Sequence, residues 1–345
     1  MSIDWKDYLS TQGARFQDAV LSGFDAQPAS RHANALSVLS QRAFIAISGV
    51  DAQKFLQGQL SVHMEQLDKH QQRLGVACTP KGRMYTSFRI LNQDNGYILS
   101  MDQSVVDATL ATLKKYAVFF KAELQINQAL LGLGVSGHQI IPELQKLGLT
   151  VPESGEAIPI HGGHLIRIPG LIPRFELWIG KNTLPHWWEA LTPIGTPCPD
   201  ALWQLLDIEA VLPRITASTQ EKYIPQHLNM PTLGGVSFRK GCYTGQEIVT
   251  RMQSLGQQKS RTYRLLAAPQ ESIQCGDKVY DEQGKGIGEV IAAEIAPDTD
   301  SLELLAVIRI HNADLGTAYL DEHQNQKASI QALPYTVDSK GELQQ

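Results

Sequence analysis

Four cysteines in 345 residues, Cys78, Cys198, Cys242 and Cys275, leave no C-x-x-C pair in the chain. That spacing argues against a zinc ribbon or a disulfide scaffold and fits a reducing compartment. A net charge of −5 gives no global claim on nucleic acid. No apolar run approaches the roughly 20 residues of a membrane span. The start, Met1 to Leu9, is too polar for a signal peptide. The expectation is a cytoplasmic protein with no membrane contact. Nothing resembles a Ser/His/Asp triad, a P-loop or H-E-x-x-H, and no metal site is predicted.

Length and composition are those of a chain with two or three domains. Residues 1 to about 20 read as one amphipathic helix, followed by a linker from Gly23 to Ser30. Ala43 to Ser48 is strand-like, and Asp51 is placed to cap a helix through Ala52 to Gln57. Strands are predicted at 74–79 and 84–91, joined by the turn Pro80-Lys81-Gly82-Arg83, with a third after Asp94-Asn95-Gly96. A helix over 103–116 and a strand near 118–126 complete a β-α-β-β-β-α-β order, close to a split βαβ unit with an added strand. A looser second lobe follows: a strand at 130–135, a helix from His138 to Leu147, a hairpin at Gly162-Gly163, a strand at 175–179 and a helix at 183–191. Pro193 to Pro199 separates it from a helix at 200–211. From Arg261 to about Pro334, short alternating runs punctuated by glycine predict a small antiparallel barrel.

The run Gly235 to Glu247 holds the chain's most suggestive thiol. Thr244 and Glu247 have capping-box spacing, with Tyr243 and Ile248 in staple positions. Cys242 is thereby expected just outside a helix N-terminus, beside Arg239 and Lys240, where dipole and cations favour thiolate. The alternative is a small buried hydrophobe in a turn. Six basic residues between 239 and 264 (Arg239, Lys240, Arg251, Lys259, Arg261 and Arg264), opposed by Glu247, form either an anion-binding window or a solvated face.

Gly132-Leu133-Gly134-Val135-Ser136-Gly137 matches G-x-G-x-x-G, but the following strands read as a hairpin, which argues against a dinucleotide fold. His161 and His164 bracket a turn without further ligands and make a poor metal site. In the mostly apolar stretch Leu202 to Ala210, Glu209 is a buried carboxylate that needs donors, such as the two adjacent N–H groups of a pterin or guanine. Trp203 is placed to stack on such a ring. An amphipathic helix with one core tryptophan accounts for the stretch equally well. Lys81-Gly82-Arg83 is a basic turn, either solvated or in contact with an anion.

From Tyr223 to Arg251 the chain resembles the YgfZ family, folate-binding relatives of the glycine-cleavage T-protein, an aminomethyltransferase; Lys240-Gly241-Cys242-Tyr243-Thr244-Gly245-Gln246-Glu247 is its signature. Matches at 55–60, 80–83, 113–119, 208–210 and 333–335 extend the resemblance over most of the chain. It implies an α+β fold of interleaved ferredoxin-like folate-binding lobes with a C-terminal antiparallel β-barrel. The expected boundaries are an N-terminal helix and linker at 1–30, a folate-binding region at 31–258, a barrel at 259–336 and a frayed tail at 337–345. Within 31–258 the lobes fall at about 31–128 and 129–200, with a closing segment at 201–258.

The resemblance also implies tetrahydrofolate or another reduced folate as cofactor, and a role in tRNA thiolation and in maintaining iron–sulfur enzymes. The expected partners are folate, tRNA and tRNA-modifying or iron–sulfur enzymes. Trp203 falls at a folate-contacting tryptophan and Glu209 where the T-protein relatives hold the pterin. Cys242 is the signature thiol and Lys240 its neighbour. Lys81 and Arg83 are candidates for the glutamate tail, and Tyr243 and Arg251 are further folate contacts. A second family tryptophan near position 42 is replaced by Arg42-Ala43-Phe44, leaving Phe44 as the substitute. The T-protein's tandem aspartates are replaced by Thr86 and Ser87, so aminomethyl transfer is not expected. The competing readings are a folate-dependent methyl- or aminomethyltransferase and a tRNA- or protein-binding adaptor with a vestigial folate pocket.

Overall fold

Asp4 caps the first helix, α1 (Trp5–Thr11), by accepting from the Lys6 and Asp7 amides. This is a computed structural model that describes residues 4–17, 20–25, 30–31, 33–256, 258–270 and 272–344. The helix ends well short of residue 20. Gly13, at φ 84°, turns the chain into a hairpin of β1 (Ala14–Gln17) and β2 (Val20–Phe24). A glycine in left-handed conformation stops a helix at little steric cost, and the apolar spacing beyond it becomes a strand period. Residues 26–29 of the expected linker lie outside the described residues.

Next come β3 (Ala35–Val38) and β4 (Arg42–Ser48), close in sequence but in different sheets. Helix α2 (Ala52–Gln59), β5 (Gln72–Cys78), β6 (Met84–Gln93), β7 (Gly96–Asp102), α3 (Val106–Ala117) and β8 (Glu123–Ile126) complete the first lobe. Its antiparallel sheet has the order β5-β6-β7-β4-β8. Ile45, Ile47, Phe55, Phe88 and Leu113 share its core with α2 and α3. Asp51 precedes α2 but does not cap it; its carboxylate accepts from the Lys121 amide instead, tying α2 to the segment after α3.

The second lobe contains β9 (Leu130–Ser136), α4 (Ile140–Lys146), β10 (Ala157–Ile160), β11 (Gly163–Arg167), β12 (Arg174–Gly180), α5 (Leu184–Leu191) and β13 (Thr196–Cys198). Sheet order is β10-β11-β12-β9-β3-β13, so β3 is inserted from the N-terminal side and the lobes interleave. β9 is antiparallel to both β12 and β3, which removes the parallel unit a dinucleotide site requires. Its glycines have another purpose: a side chain at Gly132 would crowd Leu39, and one at Gly134 would strike Trp203.

Helix α6 (Asp200–Glu209) is buried on nearly every side, with its apolar residues in the cores and Asp200, Asp207 and Glu209 each met by partners from other elements. Leu202 and Leu205 meet Ala35 and Cys198 of the second sheet, Trp203 and Leu206 meet Phe44 and Trp178 between the lobes, and Ile208 meets Ile291 and Leu305 of the barrel. After an irregular stretch and α7 (Gln246–Leu255), the chain closes a six-stranded antiparallel barrel. Its elements are β14 (Ser260–Ala267), β15 (Lys278–Tyr280), β16 (Gly286–Ala296), β17 (Ser301–Arg309), α8 (Ile310–Ala313), β18 (Thr317–Tyr319) and β19 (Lys327–Ile330). Closure leaves no strand edge open. Just before the tail Tyr335 donates to Val211 O at 2.9 Å, and within the tail, expected to fray, Glu342 is buried and accepts from Gln253 at 2.6 Å.

Candidate functional site

Where the lobes meet α6, the sequence places an unusual density of buried charge. Arg42 opens β4, Arg89 lies on β6, Arg174 and Glu176 on β12, Asp207 on α6, and Arg214 just beyond that helix. Arg42 Nη2 donates to Glu176 Oε1 at 3.1 Å and lies 3.8 Å from Asp207 Oδ2. Arg174 Nη2 is 2.9 Å from Asp207 Oδ1, and Arg214 Nε is 3.5 Å from Oδ2. The other Glu176 oxygen accepts from Trp178 Nε1 at 2.8 Å. Arg89 donates to Gln72 at 3.0 Å, and Asp200 accepts from the Gln41 amide at 3.0 Å.

Burial works against the charges of Arg42, Arg89, Arg174 and Asp200. It pulls Arg89 down to about 10 and lowers Arg174, despite the carboxylates facing them. At Arg42 burial is outweighed by Glu176 and Asp207, and the guanidinium is raised. Asp200 is raised by burial in spite of Arg214 and Arg42.

Donors outnumber acceptors. Arg42 Nε, Arg174 Nη1, Arg214 Nη1 and Trp203 Nε1 are buried without a hydrogen-bond partner among the described residues. Each such donor costs about 1–3 kcal/mol unless water or a ligand accepts from it. The site is therefore suited to an anion or a carbonyl-bearing ring. Its cavity, lined by Arg42, Ser87, Arg89, Ser100, Asp207 and Arg214 among others, is about 40 Å³. That volume holds ordered water but no heterocycle, whereas a second cavity of about 400 Å³ shares Asp207, Leu212, Pro213 and Arg214 with it.

Trp203, expected to stack on a ligand, is fully buried, with the Arg174 guanidinium 5.2 Å from its ring centroid. A ligand ring could stack on it only by displacing Arg174. Phe44 is also buried, edge-on to Trp178 at 5.5 Å. The structure does not bring Glu209 to this face. Its Oε1 accepts from Arg31 Nη1 at 2.6 Å and lies 3.8 Å from Arg264. Arg31 also donates to Glu303 at 2.8 Å and Asp298 at 2.8 Å, so Glu209 belongs to a clasp between the N-terminal segment, α6 and the barrel. Helical geometry explains the difference. Asp207, four residues after Trp203, shares its face, whereas Glu209, six residues on, is rotated by about 120°. That spacing was the one signal in the sequence for Asp207; nothing local announced Arg174, Glu176 or Arg214.

The signature segment occupies a different surface. No capping box forms: Gly245, at φ 85°, is the N-cap of α7, and Thr244 pairs instead with Gln59 at 3.3 Å. Glycine alone takes that conformation freely, so the helix starts one residue later than the Thr/Glu spacing suggests. Lys240 is buried and donates to Gln57 O at 2.7 Å, Val62 O at 2.9 Å and Leu60 O, gripping the C-terminal end of α2. Burial draws its ammonium down to about 7. Tyr243 is buried beneath it, the ammonium 5.0 Å from the ring centroid.

Cys242 is free and exposed, and is not among the residues lining the cleft. Lys81, Arg83 and Arg251 are exposed as well. Gly82 packs on Ile248, which sets the Lys81–Arg83 turn against α7, and Arg83 donates to Lys222 O. The basic window is not one face: Lys240 is inside, and Arg264 is paired with Glu303 at 2.6 Å. The two turn histidines diverge, His161 toward His186 and His164 toward His70.

No protein-family model matches the chain. A protein of Enterobacter sp. (strain 638) named tRNA-modifying protein YgfZ is 33% identical over 305 residues, covering 87% of this chain and 93% of the relative. The chain belongs to the YgfZ family. A YgfZ of Vibrio vulnificus (strain CMCP6) is 35% identical over 75% of this chain and 79% of its own length, and one from Cronobacter sakazakii is 31% identical over 90% and 97%. The solved glycine cleavage system aminomethyltransferase T from Bartonella henselae shares the fold, with a TM-score of 0.77, 16% identity and 96% of each chain covered. Membership in YgfZ accounts for the signature run, and the shared fold for the interleaved lobes and the barrel. Among the described residues no helix is long and apolar enough to cross a membrane.

Proposed function

We propose that the protein is a tRNA-modifying factor that binds a reduced folate in the cleft between its lobes. The observation that carries this reading is the donor-rich cleft centred on Asp207. A carboxylate held by Arg42, Arg174 and Arg214 offers acceptors to the N–H groups of a pterin, and the unpartnered guanidinium donors suit its carbonyl or a glutamate carboxylate. The donor set fits a folate in chemistry. The cavity on the Arg42 and Arg89 side of Asp207 holds about 40 Å³, too little for a pteridine, but a second cavity of about 400 Å³ reaches Asp207 and Arg214 from the barrel side and has room for one. A reduced folate, when bound, carries one-carbon units. Asp207 and the arginines orient it, and the apolar wall of Phe44, Trp178 and Trp203 keeps water out.

In this reading Cys242 acts from the outer face as the thiol offered to tRNA or to an iron–sulfur client. Aminomethyl transfer is the weaker alternative. Thr86 is buried against Met101, Ser87 accepts from the Ile215 amide at 2.9 Å, and neither supplies a carboxylate to the cleft.

Calorimetry with tetrahydrofolate tests the pocket. Asp207→Asn should weaken binding tenfold or more, while Glu209→Gln should leave affinity unchanged. Equal losses in both variants would move the pterin site. No binding to the intact protein, alongside salt-sensitive binding of tRNA, would select the adaptor reading.

A further inference from the structure

The first lobe ends in an apolar tip that plays no part in the cleft. After α3, Val118 and Phe119 are 73% and 85% exposed, and Val50 is 86% exposed. One backbone bond and one side-chain bond bring them together: Asp51 N donates to Lys121 O at 3.2 Å, and Lys121 N to the Asp51 carboxylate Oδ2 at 2.8 Å. Gly49 permits this approach, because any Cβ there would strike Lys121 O. Phe120 turns inward onto Phe55, ring centroids 5.5 Å apart, and its neighbour Phe119 is left outside. Lys54, Lys114, Lys115 and Lys121 are all exposed around the tip. Asp51 is engaged by the Lys121 amide, leaving Glu123 as the exposed acid of that segment.

We propose that this tip is a landing site for single-stranded RNA, with an unpaired base on the Phe119 ring and neighbouring phosphates on Lys114, Lys115 and Lys121. The proposal rests on the reading of the chain as a tRNA-modifying protein and names the surface that reading lacks. Charge decides the occupant. An apolar protein patch would cover Val50, Val118 and Phe119 but leave four ammonium groups unmatched, whereas a nucleic-acid strand supplies ring faces and anions together. Helix α2 links this tip to the signature thiol. Its eight residues span about 12 Å; its first turn adjoins Val50 and Asp51, while its far end receives Lys240 and, through Gly58 O, the Thr244 amide. RNA seated on Phe119 extends along the outer side of α2 toward Cys242.

The test is fluorescence anisotropy of labelled bulk tRNA with the full chain over a range of salt. Phe119→Ala should weaken binding about 5- to 160-fold, the range for loss of one stacked base, and Phe119→Trp should restore it. Replacing Lys114 and Lys115 by alanine should flatten the log–log salt dependence by about 1.4. Tetrahydrofolate affinity and melting temperature should be unchanged in all three. Wild-type affinity in the alanine variants, or a fully paired RNA duplex competing as well as tRNA, would overturn the surface alone. Failure of the unaltered protein to bind tRNA would remove the underlying reading, and this surface with it.

Discussion

A Cβ at position 134 would lie 2.5 Å from Cε3 of Trp203: the third residue of the G-x-G-x-x-G run is glycine because the α6 indole lies directly against β9. Gly134→Ala should therefore destabilise the protein by about 1–3 kcal/mol, the usual cost of overpacking. Urea unfolding measures this. Gly132→Ala, whose Cβ would meet Leu39 at 3.1 Å, should cost less. Equal stability of Gly134→Ala and wild type would mean that the indole can move.

The four thiols should separate by access. A disulfide reagent at neutral pH should titrate Cys242 first and half-buried Cys275 more slowly. Cys198 and Cys78 should react only in denaturant; burial raises the Cys78 thiol to about 12. Two fast thiols that include Cys78 would contradict its burial on β5, where Gly245 of the signature segment lies against it.

Lys240 is a structural clamp before it is anything else. Lys240→Met keeps the stem but leaves the carbonyls of Gln57, Leu60 and Val62 without their donor. The expected loss is about 1–3 kcal/mol, with faster proteolysis around 239–244. A variant as stable and as protease-resistant as wild type would show that water replaces the ammonium without penalty.

Glu294 of β16 provides a pH dependence. Burial, reinforced by Asp200 and only partly offset by Arg214, raises its carboxyl from the ordinary 4.5 to about 7. Between those values the folded protein holds a proton that the unfolded chain releases. Its contribution to stability is thus complete below 4.5 and lost as pH rises through 7. Glu294→Gln should remove this loss, so the stability gap between variant and wild type widens in the variant's favour from about pH 5 to 8. A constant gap over that range would refute the assignment.

Local sequence signals located most strands of the two lobes, though not β3 or β13, because turns such as Asp94-Asn95-Gly96 and Gly162-Gly163 are set by a few adjacent residues. The barrel was legible for the same reason: its alternating runs and glycines form hairpins between neighbours. Long-range pairing was not. Arg31 meets Glu209 across 178 positions, and no feature near either residue marks the partner.

At the candidate site, Trp203 and Phe44 could be singled out as aromatic residues, but what covers them depends on Arg174 and Trp178 on another sheet. Glu209 stands out in the sequence by its place in an apolar stretch and by the family resemblance, but helical phase turns it away from Trp203 and toward Arg31. The early start given to α7 has a similar origin, since Thr244 and Glu247 have the right spacing but Gly245 takes the left-handed cap.

The crossing of β3 and β4 into opposite sheets bears on how the molecule is made. During synthesis residues 35–38 emerge early, yet their neighbours 130–136 and 196–198 come much later. Leu36 and Val38, buried in the finished sheet, stay uncovered until then. A nascent chain that has emerged as far as residue 128 displays the strands of the first sheet together with an orphan strand, the sort of sticky half-product on which chaperones act.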